Sequence, residues 1–161
     1  VVTVDDVARL AAALPGVEEG TSYGHRAWLV GGRRFAWLRP FSRADVRRFG
    51  AEPVPAGPVL ALAVEDLGEK AAVLAARPAA LFTIPHLDGY PVVLVRLEAV
   101  GAAELAEALE DAWLATAPGP LARAHRGGRE SAGGGPETGP DAVDLGAGGT
   151  DADRSAGRAR P

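Results

Sequence analysis

Apolar side chains recur three and four positions apart at Val7, Leu10, Ala11 and Leu14, behind a Thr3-x-x-Asp6 capping box. This spacing predicts an opening helix, which Pro15-Gly16 ends. The pattern then shortens. Arg26 to Val30 and Arg33 to Leu38 flank Gly31-Gly32, a dipeptide that accepts positive φ at both central positions of a type I′ turn and so predicts a hairpin. Ser42 and Asp45 repeat the capping form and predict a short helix from Ser42 to Arg48, before Gly50 and the prolines at 53, 55 and 58. Val59 to Val64 reads as a strand. Asp66 and Glu69 cap a further helix with Leu67, Ala71 and Leu74 as its inward stripe, and Pro78 marks its end. Leu81 to Ile84 and Val92 to Val95 read as two more strands. Leu105, Leu109, Ala112 and Trp113 line one face of a last helix over residues 102–117.

The resulting order is αβββαββα with a small extra helix after the hairpin. It predicts a two-layer α+β domain: a mostly antiparallel sheet with helices on one face. From Ala124 onward glycine and proline dominate and no aromatic residue occurs. Such a stretch buries too little apolar surface to offset its ordering entropy, so residues 1–123 are expected to form the domain and residues 124–161 a disordered Gly-rich tail.

The chain has 161 residues, 47% hydrophobic, enough for one core. It contains no cysteine, which excludes disulfides, thiolate metal sites and a cysteine nucleophile. No apolar run reaches the roughly 18 residues of a membrane span, and the amino-terminal segment lacks the basic and apolar regions of an export signal. A cytoplasmic protein without membrane contact, monomeric by preference, is the expectation. The net charge of −4 disfavours whole-surface binding to nucleic acid, so any such contact requires a local patch.

Such a patch is visible. Arg26, Arg33, Arg34, Arg39, Arg43, Arg47 and Arg48 fall in one short segment with Asp45 as its one acid, giving +6 there and therefore −10 over the rest of a −4 chain. Clustered arginines present planar forks suited to phosphate. A two-residue Gly31-Gly32 turn would pair Val30 with Arg33, Trp28 with Phe35 and Arg26 with Trp37. One hairpin face would then carry Arg26, Trp28, Val30, Arg33, Phe35, Trp37 and Arg39, and the other Ala27, Leu29, Arg34, Ala36 and Leu38. If the helices cover the aliphatic face, aromatics interleaved with arginines form an open stacking platform. If they cover the aromatic face, as the size of those rings favours, Trp28, Phe35 and Trp37 are core and only the exposed arginines of the tip and short helix remain.

A second constellation is Tyr23, His25, His86 and Tyr90, all in loops or at strand starts, which could converge with Asp88 on a small polar pocket where an imidazole transfers protons. The plainer expectation is that His86 and Tyr90 hydrogen-bond their own loop backbone. No metal is expected: the histidines lack ligand spacing, and Asp5, Asp6, Glu18 and Glu19 make a thin acidic ridge explained by helix capping. No phosphate loop, dinucleotide turn or nucleophile elbow is present, so neither cofactor nor catalysis is expected.

Leu14-Pro15-Gly16-Val17, Tyr23-Gly24-His25, Val30-Gly31-Gly32-Arg33-Arg34-Phe35-Ala36, Phe82-Thr83-Ile84-Pro85-His86, Gly89-Tyr90-Pro91 and Val93-Leu94-Val95-Arg96-Leu97 together resemble the MmcQ/YjbR family in order and spacing. Ile84 departs from the pattern by adding a residue ahead of Pro85-His86. The resemblance implies a compact α+β domain similar in shape to frataxin, and a DNA-binding role through paired hairpins. The expected function is thus non-enzymatic, sequence-tolerant DNA contact, with Arg33 and Arg34 as a hairpin wing and Arg43, Arg47 and Arg48 extending the track. The alternatives are a ligand or enzymatic pocket near His25, His86 and Tyr90, or a protein-binding adaptor.

Overall fold

The computed structural model describes residues 1–133. Thr3 caps helix α1 (Val4–Ala12) reciprocally: its hydroxyl accepts from the Asp6 N–H at 3.2 Å, and the Asp6 carboxylate accepts from the Thr3 N–H at 2.9 Å. Three strands follow in series, β1 (Val17–Ser22), β2 (His25–Val30) and β3 (Arg33–Leu38), then α2 (Arg43–Phe49), β4 (Val59–Ala63) and α3 (Leu67–Ala76). A short β5 (Leu81–Phe82) leads through a 3-10 turn at Pro85–Leu87 into β6 (Val92–Arg96), and α4 (Ala102–Thr116) and α5 (Gly119–Gly133) complete the described chain. The strands form one six-stranded sheet in the order β1-β2-β3-β4-β6-β5, with every neighbouring pair antiparallel. This is the expected α+β architecture, with one more strand and one more helix.

The added strand β1 carries one apolar residue, Val17, among Glu18, Glu19, Gly20, Thr21 and Ser22. Hydrophobic alternation therefore does not reveal it. It is an edge strand whose position is fixed by pairing along its whole length with β2, and its charges suit an exposed edge. The added helix α5 overruns the expected domain boundary at residue 124, since residues 124–133 are helical. It is held by tertiary contacts: Ala122 is buried, the His125 ring meets Trp113 edge-on at 4.9 Å, and Glu110 accepts from both His125 and Arg129. The rest of the expected tail, residues 134–161, lies outside the described residues.

One feature of the hairpin departs from simple alternation. Val30 faces Arg33 and Leu29 faces Arg34, but Trp28 then faces Ala36 and Ala27 faces Trp37. Phe35 is therefore an extra residue on β3, a β-bulge, and Phe35 and Ala36 both turn to the same side. The expected pairs Trp28 with Phe35 and Arg26 with Trp37 do not form. Trp28, Val30, Phe35 and Ala36 join Leu60, Leu62, Val93 and Val95 beneath α1, α3 and α4 in the main core. Trp37 goes to the opposite side with Ala27, Leu29, Ala61 and Leu94. The helices thus cover two of the three hairpin aromatics, and neither single-face alternative describes the sheet.

That second face is partly covered as well. Phe49 of α2 and Phe41 pack edge-on at 5.2 Å, and Phe41 meets Phe82 at 6.2 Å, with Ile84 and Leu87 closing the cluster over β4, β5 and β6. The cover stops before β1 and the start of β2. In α3 Leu74 turns inward as expected, but Leu67 and Ala71 are exposed, and Lys70 and Val73 take the inward positions instead. Among the described residues no helix is long and apolar enough to cross a membrane.

The main core depends on Trp113, which is fully buried and donates its indole N–H to the Pro15 carbonyl at 3.0 Å, tying α4 to the turn after α1. Trp113→Phe leaves that carbonyl unpaired and a void beside His125. We expect a loss of about 1–3 kcal/mol, measured by urea denaturation. A variant as stable as the parent would show that this link does not hold the helix layer.

Candidate functional site

The uncovered part of the second face is a groove of ≈ 650 Å³ between the β1–β2 turn on one side and α2 with the Pro85–Tyr90 loop on the other. Tyr23, His25, His86 and Tyr90 all line it, together with Arg34, Trp37, Arg39 and Arg48. The polar constellation read from the sequence therefore shares one site with three of the seven clustered arginines, Arg34, Arg39 and Arg48.

Tyr23-Gly24 forms a two-residue turn between the paired residues Ser22 and His25. Both turn residues have positive φ, 52° at Tyr23 and 79° at Gly24. Glycine takes this conformation freely, but a bulky side chain is held in it at a cost of about 1 kcal/mol. Tyr23 is nonetheless 90% exposed, so burial of the ring does not compensate. The next strand pair places Arg34 opposite Leu29 and hence on this face. Its guanidinium carbon lies 4.1 Å from the Trp37 ring centroid and 5.6 Å from that of Tyr23, and it also donates to the Ser22 hydroxyl. The guanidinium is layered on an aromatic plane and fixed in direction by a hydroxyl, with no carboxylate partner among the described residues.

Arg39 and Arg48 are held differently. Asp45, only 5% exposed, accepts from the Ser42 backbone N–H and hydroxyl, each at 3.0 Å, while the Ser42 hydroxyl accepts from the Asp45 N–H at 3.1 Å. The same carboxylate meets Arg39 at 3.4 Å and Arg48 at 3.3 Å. Burial pushes the Asp45 pKa up, but the Ser42 hydrogen bonds and the Arg39 charge outweigh it, and the carboxyl ends below its ordinary value. Asp45 thus completes the capping box of α2 with Ser42 and anchors two groove arginines together.

The loop that brings His86 and Tyr90 to the groove is fixed by a residue the sequence pattern concealed. Lys70, 7% exposed on the inward side of α3, donates to the carbonyls of Leu87 at 2.7 Å and Tyr90 at 2.9 Å. Burial lowers its pKa, opposed by the charge of Asp88. The expected backbone bonds from the His86 and Tyr90 side chains do not form among the described residues. Lys70 supplies that anchorage, leaving Tyr90 60% exposed. A lysine at a helical spacing of apolar residues reads as a solvated position, and only the packing of α3 against this loop reveals its role.

The other arginines lie elsewhere. Arg26 is on the helix side, paired with Glu19 at 2.6 Å and Asp5 at 3.4 Å and placed over the Trp28 ring, so the acidic residues there are partly spent on it. Arg33 faces Val30 and so points to the helix side, at a tip where Gly31 approaches Pro118. Arg43 and Arg47 are exposed on α2 outside the groove lining. Arg33 and Arg34 therefore lie on opposite faces of the hairpin. Among the described residues no three His, Asp or Glu side chains converge as metal ligands.

The YjbR family model matches residues 12–115, from the end of α1 almost to the end of α4. Two mycobacterial relatives, the uncharacterized proteins Rv2570 of Mycobacterium tuberculosis and Mb2600 of Mycobacterium bovis, are each 42% identical over 125 residues, 76% of this chain and 94% of theirs. Among solved structures, the Deinococcus radiodurans protein DR2400, with family-model domain DUF419, is similar in fold at a TM-score of 0.50 and 23% identity, over 70% of this chain and 77% of that one.

The depressed pKa of Asp45 sets a pH dependence. Its contribution is fully present above the unfolded carboxylate value near 4 and is lost as pH falls through the lower folded value. Asp45→Asn is expected to destabilise the protein by about 1–3 kcal/mol at neutral pH. The difference from the parent should shrink progressively below about pH 4. Denaturant titrations across that range check both statements, and a difference independent of pH would refute the charge-based anchorage.

Proposed function

The chain belongs to the MmcQ/YjbR family, and from that premise we propose that it is a non-enzymatic, monomeric, DNA-contacting protein of the cytoplasm that binds through the groove on the second sheet face. The observation that carries this reading is Arg34, a guanidinium stacked on Trp37 and directed by Ser22 without a carboxylate partner within 4.0 Å among the described residues. A cation so held keeps its charge and outer donors available for a phosphate, and Arg48 and Arg39 extend the positive wall. The exposed aromatic rings beside them supply contacts that every base can satisfy, which favours sequence tolerance. No side-chain set in the groove forms a nucleophile with an adjacent oriented base, and the reading accordingly assigns no reaction.

This differs from approach by the hairpin tip in the arginines it uses. Arg34, Arg39 and Arg48 form the contact, with Arg33 and Arg26 facing away from it. A second reading has one observation in its favour: Tyr23, His25, His86 and Tyr90 line the same recess, so a small anionic ligand could occupy it alone.

Fluorescence anisotropy with labelled DNA, offered as duplex and as single strand, tests the proposal. Neutralising two or three phosphates implies that affinity falls about 10- to 40-fold between about 50 and 200 mM salt for duplex. Arg34→Glu should weaken binding about tenfold or more, whereas Arg33→Glu should change it less than about threefold. Absence of binding to either form at low salt, or equal losses in the two variants, would refute the groove as a DNA contact.

A further inference from the structure

Resting on the DNA-contact reading above, we propose that the groove recognises unpaired nucleotides, so that its preferred partner is a single strand. The chain contains two tyrosines, and both stand at this groove with their rings largely in solvent, Tyr23 at 90% and Tyr90 at 60% exposure. They come from separate elements, the β1–β2 turn and the loop before β6, and flank the Arg34–Trp37 stack. Exposed rings beside a fixed guanidinium are the components with which proteins hold splayed bases: the ring takes a base face, the cation a backbone phosphate. In a duplex the base faces are stacked inside the helix, and these rings would have nothing to meet.

The conformation of Tyr23 points the same way. The first central position of a two-residue turn with positive φ favours Gly, Asn or Asp, as Gly31 shows in the neighbouring hairpin at φ 58°. A tyrosine held there, with its ring in solvent and only the Arg34 guanidinium over it at 5.6 Å, carries backbone strain that burial does not offset, and such strain is characteristic of binding positions. The site is also elongated. A second depression of ≈ 310 Å³, lined by Phe49, Thr83, Ile84 and Pro85, continues it beyond Asp45 and Arg48, which wall both recesses. Two adjoining recesses that share Arg48, the second also edged by Glu52, suit successive nucleotides of a strand better than one compact ligand.

The test uses the full chain with three probes: a labelled oligothymidylate of about 12 nucleotides, a mixed-sequence duplex of the same length, and thymidine monophosphate as competitor. The expected result is single-strand binding about tenfold or more tighter than duplex, with the mononucleotide competing far more weakly than unlabelled oligothymidylate. Tyr90→Ala and Tyr23→Gly should each weaken single-strand binding about 5- to 100-fold. Because glycine relaxes the positive φ, Tyr23→Gly should leave the unfolding midpoint unchanged or raised, which separates loss of stacking from loss of fold. Duplex binding as tight as single-strand binding, unchanged affinity in both tyrosine variants, or a mononucleotide competing as well as the oligonucleotide would each overturn the single-strand inference. The first two leave the DNA-contact reading standing provided Arg34→Glu still weakens binding, and silence of both labelled probes removes both.

Discussion

A single extra residue in β3 determines the character of this domain. Without the bulge at Phe35, strict alternation would send Trp28, Phe35 and Trp37 to one face, three large rings from two adjacent strands competing for the space beneath α4. With it, Phe35 and Ala36 share the helix side and every later residue of β3 is inverted. Trp37 becomes the floor of the opposite face, and Arg39 follows it there to reach Asp45. Arg34, preceding the bulge, already lies on that side opposite Leu29, so bulge and arginine together place a guanidinium directly over an indole. Main core and groove are two consequences of one irregularity.

The groove exists because the second face is covered only as far as its apolar residues extend. Phe41, Phe49, Phe82, Ile84 and Leu87 bury Ala61 and Leu94 over the β4–β6 half, where the strands present small and aliphatic side chains. Toward β1 the same face presents His25, Arg34 and Ser22, which a hydrophobic cover would strip of water without supplying partners. Asp45 sits at the border. Its carboxylate closes the capping box that Ser42 opens at the start of α2, and it sets Arg39 and Arg48 along the edge. Lys70 performs the corresponding task from below by holding the carbonyls of the loop that forms the far wall.

Much of this was legible before any coordinates. The capping pairs Thr3 with Asp6 and Ser42 with Asp45, the Gly31-Gly32 turn and the buried stripe of α4 are local, and local chemistry decides them. The convergence of Tyr23, His25, His86 and Tyr90 was anticipated as a possibility because all four precede or join strands. What alternation could not reveal were features decided by packing: the bulge, which no residue type announces; β1, whose polar sequence is organised only by pairing with β2; α5, whose glycines belie contacts with Trp113 and Glu110; and Lys70, buried by its carbonyl partners. Because the bulge reassigns faces, the arginine cluster could be located along the chain without being located on the surface.

The same reassignment reconciles an acidic chain with the anionic partner proposed for it. The helix side carries Asp5, Asp6, Glu19, Glu107 and Glu110, and four cations there are engaged by them: Arg9 with Asp6, Arg26 with Glu19, Arg77 with Glu107 and Arg129 with Glu110. In the groove, one carboxylate, Asp45, faces Arg39 and Arg48, and Arg34 rests on rings and a hydroxyl instead. Screening confines the field of an exposed charge to about 10 Å at 0.1 M salt, so a phosphate at the groove experiences these arginines far more than the acids across the sheet. Net charge then governs the long-range approach, which the acidic side disfavours, while the contact itself depends on which few cations are left uncompensated on one face. For the DNA contact proposed here, that division implies salt sensitivity and a preferred orientation.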